Sequence, residues 1–296
     1  MGEVTPEANF LGLPDVKGDP DIIIAQVPYE LTTSYGQGTV NGPQECIAAS
    51  LQVELYDDLL DEELPAGKII RTVEAWDGKG ATLNEQLDGI SKYSKSQYDS
   101  GAFPIFLGGE HGMLPAILRG CPHKVTLIQI DAHADLRQEL DGEPYSHACA
   151  ISRALDAGAL GVHQVGIRAY SFGELQTMKT DKRIHTTFAR DIFHPIRGSG
   201  VWSEWLSSIE NIEGPVHLTI DIDGLDGSLV PATGTPVPGG LSYWHAIETI
   251  EHAFANCNVV SADINEIVPQ AGSPLTQFTA AMIATKVVAA HIAKGR

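Results

Sequence analysis

The chain has 296 residues, with 38 Asp and Glu against 19 Lys and Arg, and its formal charge of -19 disfavours nucleic acid and anionic membrane as partners, whose phosphates it would repel. An apolar share of 43% and a charged share of 19% describe a globule able to bury a core and exclude a disordered chain. No apolar run approaches a membrane span, and Met1-Gly-Glu-Val-Thr5 lacks a basic stretch followed by an apolar one, so a cytoplasmic protein is expected.

Taken in chain order, short β-rich runs alternate with longer helical stretches. Strands are predicted over 21–27, 68–73, 103–107, 124–130, 162–167, 216–220 and 259–264. Helices are predicted over 83–100, 113–119, 147–157, 202–212, 243–256 and 273–293. Near-continuous apolar strands separated by helices imply a mainly parallel sheet covered on both faces, a three-layer α/β/α sandwich. The Gly- and Pro-rich stretch 227–241 reads as an ordered loop after a strand, not a linker, so residues 1–296 are expected to form a single domain. Cys46, Cys121, Cys149 and Cys257 show no CxxC spacing and read as reduced thiols, with Cys149 a packing residue.

Polar groups cluster where the apolar runs end. His111 closes Ile105-Phe-Leu-Gly-Gly-Glu-His111, Asp131-Ala-His133-Ala-Asp135 follows Val125–Ile130, Asp221-Ile-Asp223 follows Val216–Ile220, and Glu266 follows the run at 259–264. In open α/β sheets, ligands bind outside the carboxyl ends of the strands. Two imidazoles and four carboxylates suit a pair of divalent cations. The spacing of two in 131/133/135 and 221/223 would aim each set one way if the backbone were extended. Each motif alone has an ordinary explanation: Asp caps helices and starts turns, and a lone histidine is usually structural. Their convergence at several strand ends is what favours metal. His147 in Tyr145-Ser-His-Ala148 is a candidate proton carrier or a helix-start histidine, and Glu266 a candidate for a cationic substrate group or a capping carboxylate.

These segments resemble the ureohydrolases, the arginase/agmatinase family of dinuclear manganese enzymes. The matching stretches are Gly108-Gly-Glu-His111-Gly, Asp131-Ala-His-Ala-Asp135, Ser146-His-Ala, Thr219 through Gly240, and Asp263-Ile-Asn-Glu266-Ile-Val-Pro; Pro28 through Pro43 looks like the agmatinase branch. The resemblance implies an arginase-like fold and two Mn(2+) per subunit. His111, Asp131, Asp135 and Asp221 would hold one ion, and Asp131, His133, Asp221 and Asp223 the other. A hydroxide bridging the metals would attack the guanidinium carbon, Glu266 would hold the guanidinium, Asp135 would pass the proton to the departing amine, and His147 would relay protons to water. Urea and an amine would leave, and the family implies a homotrimer or homohexamer.

The loop Leu136–Tyr145 carries Glu139, Asp141 and Glu143 and lacks the polar set with which arginases bind the amino-acid end of arginine, which suits a cationic amine tail. Agmatine or its aminopropyl derivative is the leading substrate, on a route to putrescine and polyamines. Guanidinobutyrate, guanidine, arginine and formiminoglutamate are the alternatives, Arg137 keeping an anionic tail open. A metallophosphatase would need more cations to clamp phosphate, and a non-catalytic paralogue would be expected to have lost ligands. Glu110 and Gly112 depart from the Asp and Ser often found around the histidine, with no loss of metal expected.

Overall fold

The apolar runs carry large side chains at successive positions, so both faces of each strand need cover, and the chain supplies it with helices on either side. The computed structural model describes residues 9–296. Its strands are β1 (Ile22–Val27), β2 (Tyr56–Asp57), β3 (Glu62–Glu63), β4 (Ile70–Thr72), β5 (Phe103–Gly108), β6 (Thr126–Ile130), β7 (Gly161–Ile167), β8 (Ile184–Phe188), β9 (Pro215–Asp221) and β10 (Asn258–Asn265). Eight form one sheet in the order β4-β1-β5-β10-β9-β6-β7-β8, with every pairing parallel. The short β2 and β3 pair separately and antiparallel.

The helices are α1 (Gly42–Ser50), α2 (Leu83–Asp99), α3 (Leu114–Gly120), α4 (Ala150–Asp156), α5 (Phe172–Thr180), α6 (Ala189–Ile192), α7 (Gly198–Glu210), α8 (Tyr243–Asn256) and α9 (Leu275–Lys294). Strand alternation sorts them into layers. Ile22, Ile24, Ile105 and Ile220 pack with Ile47 of α1, Trp205 of α7, Phe254 of α8 and Val287 of α9. Ile23, Ala25 and Phe106 face the other way, onto Leu87 and Ile90 of α2 and Ile117 of α3, and Leu127 and Val162 meet Ile151 and Leu155 of α4. Capping boxes at Thr82/Glu85, Ser171/Glu174 and Ser242/His245 start α2, α5 and α8 by satisfying the free N–H groups of the first turn.

All seven predicted strands are present. The eighth, β8, escapes sequence reading because Ile184-His-Thr-Thr-Phe188 lies at the sheet edge, where only Ile184 is buried. One expectation needs correcting: the 20-residue α9 is long and apolar enough, by length and composition, to cross a membrane. Thr, Gln and Lys interrupt its sequence and conceal this, but 78% of its apolar window is buried against the sheet and α1 and α8, where a core helix belongs.

Topology fixes where chemistry can occur. The four strands that end in His111, Glu266, Asp221 and Asp131 are β5, β10, β9 and β6, which are consecutive in the sheet. Their carboxyl ends therefore form one continuous edge.

Candidate metal centre and its mouth

After β5 the backbone turns tightly through Gly109, where any Cβ would collide with the Tyr29 carbonyl oxygen. This close approach delivers His111 into the sheet edge, 1% exposed. Its Nδ1 lies 3.0 Å from Asp135 Oδ2, 3.3 Å from Asp131 Oδ2 and 3.7 Å from Asp221 Oδ2. His133 Nδ1 lies 3.1 Å from Asp223 Oδ2 and 3.7 Å from Asp131 Oδ1. Two donor sets result, His111/Asp131/Asp135 and Asp131/His133/Asp223, each with its ligand atoms within 4.8 Å of one another and both containing Asp131.

The backbone route to this convergence differs from the expected one. Asp135 sits at φ 51°, in the left-handed region, and its carbonyl accepts the N–H groups of Ile151 and Ser152 at 3.1 Å, tying the kink to α4. Asp223 lies in a 3-10 turn, Ile222–Gly224, that begins when the Asp221 carboxylate accepts the Asp223 N–H at 2.9 Å. An extended segment would have carried the third ligand of each set away along the strand direction; the kink and the turn bring it back. Strain of this kind in buried non-glycine residues concentrates at functional sites, and Glu266 shares it with φ 60°.

Hydrogen bonding around His111 fixes its tautomer. Thr219 Oγ1 donates to Asp263 Oδ1 at 3.0 Å, so it accepts from His111 Nε2–H at 2.9 Å. Nδ1 then faces only carboxylate oxygens. Neither His111 Nδ1 nor Asp223 Oδ2 makes a hydrogen bond among the described residues. Leaving such buried groups unpaired costs about 1–3 kcal/mol each, or more when charged. A ring nitrogen aimed at three carboxylate oxygens needs positive charge between them, a proton when no metal is bound and a cation when one is, so the donor set fits metal. Its charge balance agrees. Burial, then the neighbouring Asp131, raises Asp135 to about 6. Burial followed by nearby carboxylates pushes Asp221 and Glu266 well above the usual carboxylate range. Burial works to lower His111, but Asp131 and Asp135 outweigh it and hold it well above its ordinary value.

Glu266 joins the site through the backbone: its Oε1 accepts the His111 N–H at 2.8 Å, and its own N–H donates to Gly109 at 2.8 Å. A Cβ at Gly234 would come within 2.6 Å of its other oxygen, Oε2, so glycine keeps that oxygen clear. His147 stands apart from the metal ligands, at the start of the turn leading to α4. A carbonyl only accepts, so His147 Nδ1 carries the proton it donates to Thr32 O at 2.7 Å, and Nε2 is the acceptor, taking the Ser34 hydroxyl at 3.3 Å. Burial lowers the His147 imidazole below its usual value.

Beside His147 opens a cavity of about 460 Å³, lined by Thr32, Ser34, Thr82, Gln86, Asp141 and Glu143 among others. Two of the three loop acids face it, while exposed Glu139 does not. Arg137 is turned toward Glu174, with Nε 3.8 Å from the carboxylate. Cys149 is buried, its thiol raised to about 11 by burial and then by Asp135, as suits a packing residue; all four cysteines are free.

Sequence reading missed several supports. Arg168 donates to the backbone carbonyls of Asp223, Gly224, Leu225, Val237 and Pro238, clamping the turn that carries Asp223 onto the Gly/Pro-rich loop. Its position after β7 was the only signal. Thr219, two residues before Asp221 on β9, could have been found from strand alternation. Thr32 gave none, and Glu110 stood out only as a departure from the family pattern, since the two lie far apart in sequence.

Comparison with known proteins agrees with this geometry. The model of the arginase family matches residues 20–290. The chain is 32% identical to N(1)-aminopropylagmatine ureohydrolase of a Synechocystis species, over 91% of this chain and 89% of that one. It is 32% identical to agmatinase of Bacillus anthracis, over 85% and 84%. Among solved structures, a hypothetical agmatinase from Burkholderia thailandensis superposes with a TM-score of 0.83 at 25% identity, over 97% of this chain and 91% of that one. The chain belongs to the arginase family. Within it, the chain is a ureohydrolase of the agmatinase branch, a hydrolase acting on guanidino compounds.

Proposed function

We propose that this protein hydrolyses the guanidinium group of agmatine, or of its aminopropyl derivative, to urea and an amine with the help of two divalent cations, manganese by preference. The observation that carries the metal reading is the pair of donor sets sharing Asp131, with His111 Nδ1 aimed among carboxylates. His111, Asp131, Asp135 and Asp221 would hold one ion, and Asp131, His133, Asp221 and Asp223 the other. When bound, the cation pair supplies Lewis acidity and a water ionised near neutral pH. The remaining chemistry belongs to the chain. Glu266, with Oε2 clear, binds the guanidinium by charge and hydrogen bonds. Asp135 takes a proton from the attacking water and returns it to the tail nitrogen as its bond to the guanidinium carbon breaks. His147, neutral and with Nε2 unprotonated beside Ser34, carries the second proton between site and solvent.

The cavity supports the substrate assignment. At about 460 Å³, with Asp141 and Glu143 in its wall, it suits a cationic amine tail, and Arg137 is engaged elsewhere. The aminopropyl derivative stands beside agmatine because the Synechocystis relative carries that activity in its name. We further propose that the chain works as one domain in a cytoplasmic homotrimer or homohexamer, on a route to putrescine and polyamines.

The test is urea release by purified, manganese-loaded protein from agmatine, aminopropylagmatine, arginine, guanidinobutyrate and guanidine in parallel. Urea from one or both of the first two is the expected result. Urea only from another compound would keep the hydrolytic site and overturn the substrate. No urea from any of them, with two metals bound, would overturn the functional reading.

A further inference from the structure

Glu110 is fully buried immediately before the metal ligand His111, yet its carboxylate turns away to a different segment of chain. Its Oε2 accepts the N–H groups of Leu31 at 3.0 Å and Thr32 at 2.8 Å, and its Oε1 accepts the Thr32 hydroxyl at 2.8 Å. Having donated its proton there, Thr32 Oγ1 accepts the His147 N–H at 2.9 Å, while the Thr32 carbonyl accepts from His147 Nδ1 at 2.7 Å. One residue thus grips His147 at both backbone and ring, and Glu110 holds that residue in place from the end of β5. Gly112 completes the fit: a Cβ there would lie 3.2 Å from Glu110 Oε1 and 3.4 Å from His147 N, so an alanine or serine would crowd the carboxylate and touch the His147 backbone.

We infer that Glu110 and Thr32 are positioning residues that lock His147 in its Nδ1–H tautomer, with Nε2 toward Ser34, and so fix the proton relay to the same strand end that carries His111. This rests on the role proposed above for His147. Thr32 therefore acts on turnover through His147, and the carboxylate of Glu110 acts through Thr32. Charge-assisted bonds from backbone N–H groups to a buried carboxylate are among the stronger ones available, which suits an anchor. Fixing one ring nitrogen by hydrogen bonding leaves the other as a defined acceptor.

The experiment compares wild type, Thr32→Val, Thr32→Ser, His147→Ala and the Thr32→Val/His147→Ala double variant, each checked for two bound metals. Thr32→Val keeps the side-chain shape and removes the hydroxyl; it should lower kcat about tenfold with KM little changed, the size of effect expected from a small misplacement of a catalytic group. Thr32→Ser should restore most of that loss. In the His147→Ala background, Thr32→Val should cost nothing further, because residues acting as a unit are not additive. An equal loss in both backgrounds would overturn the proposal and make Thr32 a substrate contact or a fold element. A second readout needs no turnover: nitrogen NMR of the His147 ring in zinc-loaded protein, zinc being diamagnetic. Wild type and Thr32→Ser should show the Nδ1–H form, and Thr32→Val a mixture of tautomers, because the carbonyl that accepts from Nδ1 remains but loses the hydroxyl bonds to Glu110 and the His147 N–H that hold it in place. An unchanged ring in Thr32→Val would overturn the relay even if no guanidino compound is cleaved, and an altered ring without urea release would locate the failure in the functional reading instead.

Discussion

Two regions of this molecule sit side by side and are built in opposite ways. The candidate metal centre stands on the ends of β5, β9 and β6, with Glu266 beside it at the end of β10, and apart from His111 its side chains arrive in short motifs whose members lie two to four residues apart. The cavity we take as its mouth, lined by none of the candidate metal ligands, is assembled from loops 31–34 and 140–146 and the start of α2, which meet only when the chain is folded. A parallel sheet dictates where its strand ends lie, so substitution at the centre should act through metal and be severe. A loop wall is held by a few side-chain anchors, so substitution there should be graded and depend on the substrate.

The largest effect should come from the shared ligand. Asp131→Ala removes a member of both donor sets and should abolish turnover, at least about 10³-fold, with loss of bound manganese measured by atomic absorption. Asp221→Ala should also abolish activity and weaken metal retention. Full metal occupancy with wild-type turnover in either variant would break the division drawn above.

His147→Ala belongs to the mouth and should slow turnover by about 10²-fold, the lower range for a lost general acid or base, while metal content stays at two ions. Its pH signature has a definite sign. Burial places the imidazole below its ordinary value, so at neutral pH Nε2 is free to accept, and that capacity is lost as pH falls through the lowered value. Wild type should therefore show an acid limb in kcat below about pH 6.5 to which His147 contributes, and His147→Ala should lose that contribution and keep only the part set by groups such as Asp135. Metal loss in this variant would move His147 into the centre.

A smaller effect is expected at the cavity wall. Asp141→Asn with Glu143→Gln should raise KM for a cationic-tailed substrate by about tenfold, more at low salt than at high salt, because exposed charges are screened. Cleavage of guanidine itself, which has no tail, should not change if it is measurable. An equal loss for both would show that the loop shapes the site and does not select the tail.

The two regions also differ in how much the sequence disclosed. Seven strands, the layered sheet and the gathering of six His and Asp side chains at one sheet edge were legible, because apolar periodicity and strand-end position are local properties of the chain. The family and its branch were legible too, from segments such as Thr219–Gly240. What stayed hidden was non-local or hung on backbone detail. The left-handed kink at Asp135 and the turn at Asp223 replace the extended geometry that spacing suggested. Arg168 spends its guanidinium on main-chain carbonyls, which no side-chain motif marks. Thr32 reaches His147 across 115 positions of sequence and Glu110 across 78. Such pairings are specified by the fold, and nothing in either segment alone announces them.

The unusual pair Glu110 and Gly112 offers the finest test of the boundary between centre and mouth. Serine at 112 would put Cβ 3.2 Å from Glu110 Oε1, a tight contact that the carboxylate must relieve, and 3.4 Å from the His147 N–H nitrogen, where contact is just ordinary. Gly112→Ser alone should therefore lower kcat by about three- to fivefold, a cost of the order of 1 kcal/mol, through displacement of the Thr32–His147 contact. Aspartate at 110 is one methylene shorter and withdraws from that Cβ, so Glu110→Asp with Gly112→Ser should recover part of the loss. Glu110→Asp alone should be impaired, because the shorter carboxylate retreats from Leu31 and Thr32. Reciprocal rescue, with both metals retained throughout, would place the pair in the mouth although it flanks a metal ligand in sequence. Additive losses accompanied by falling metal content would place it in the centre, and the two regions would then be one.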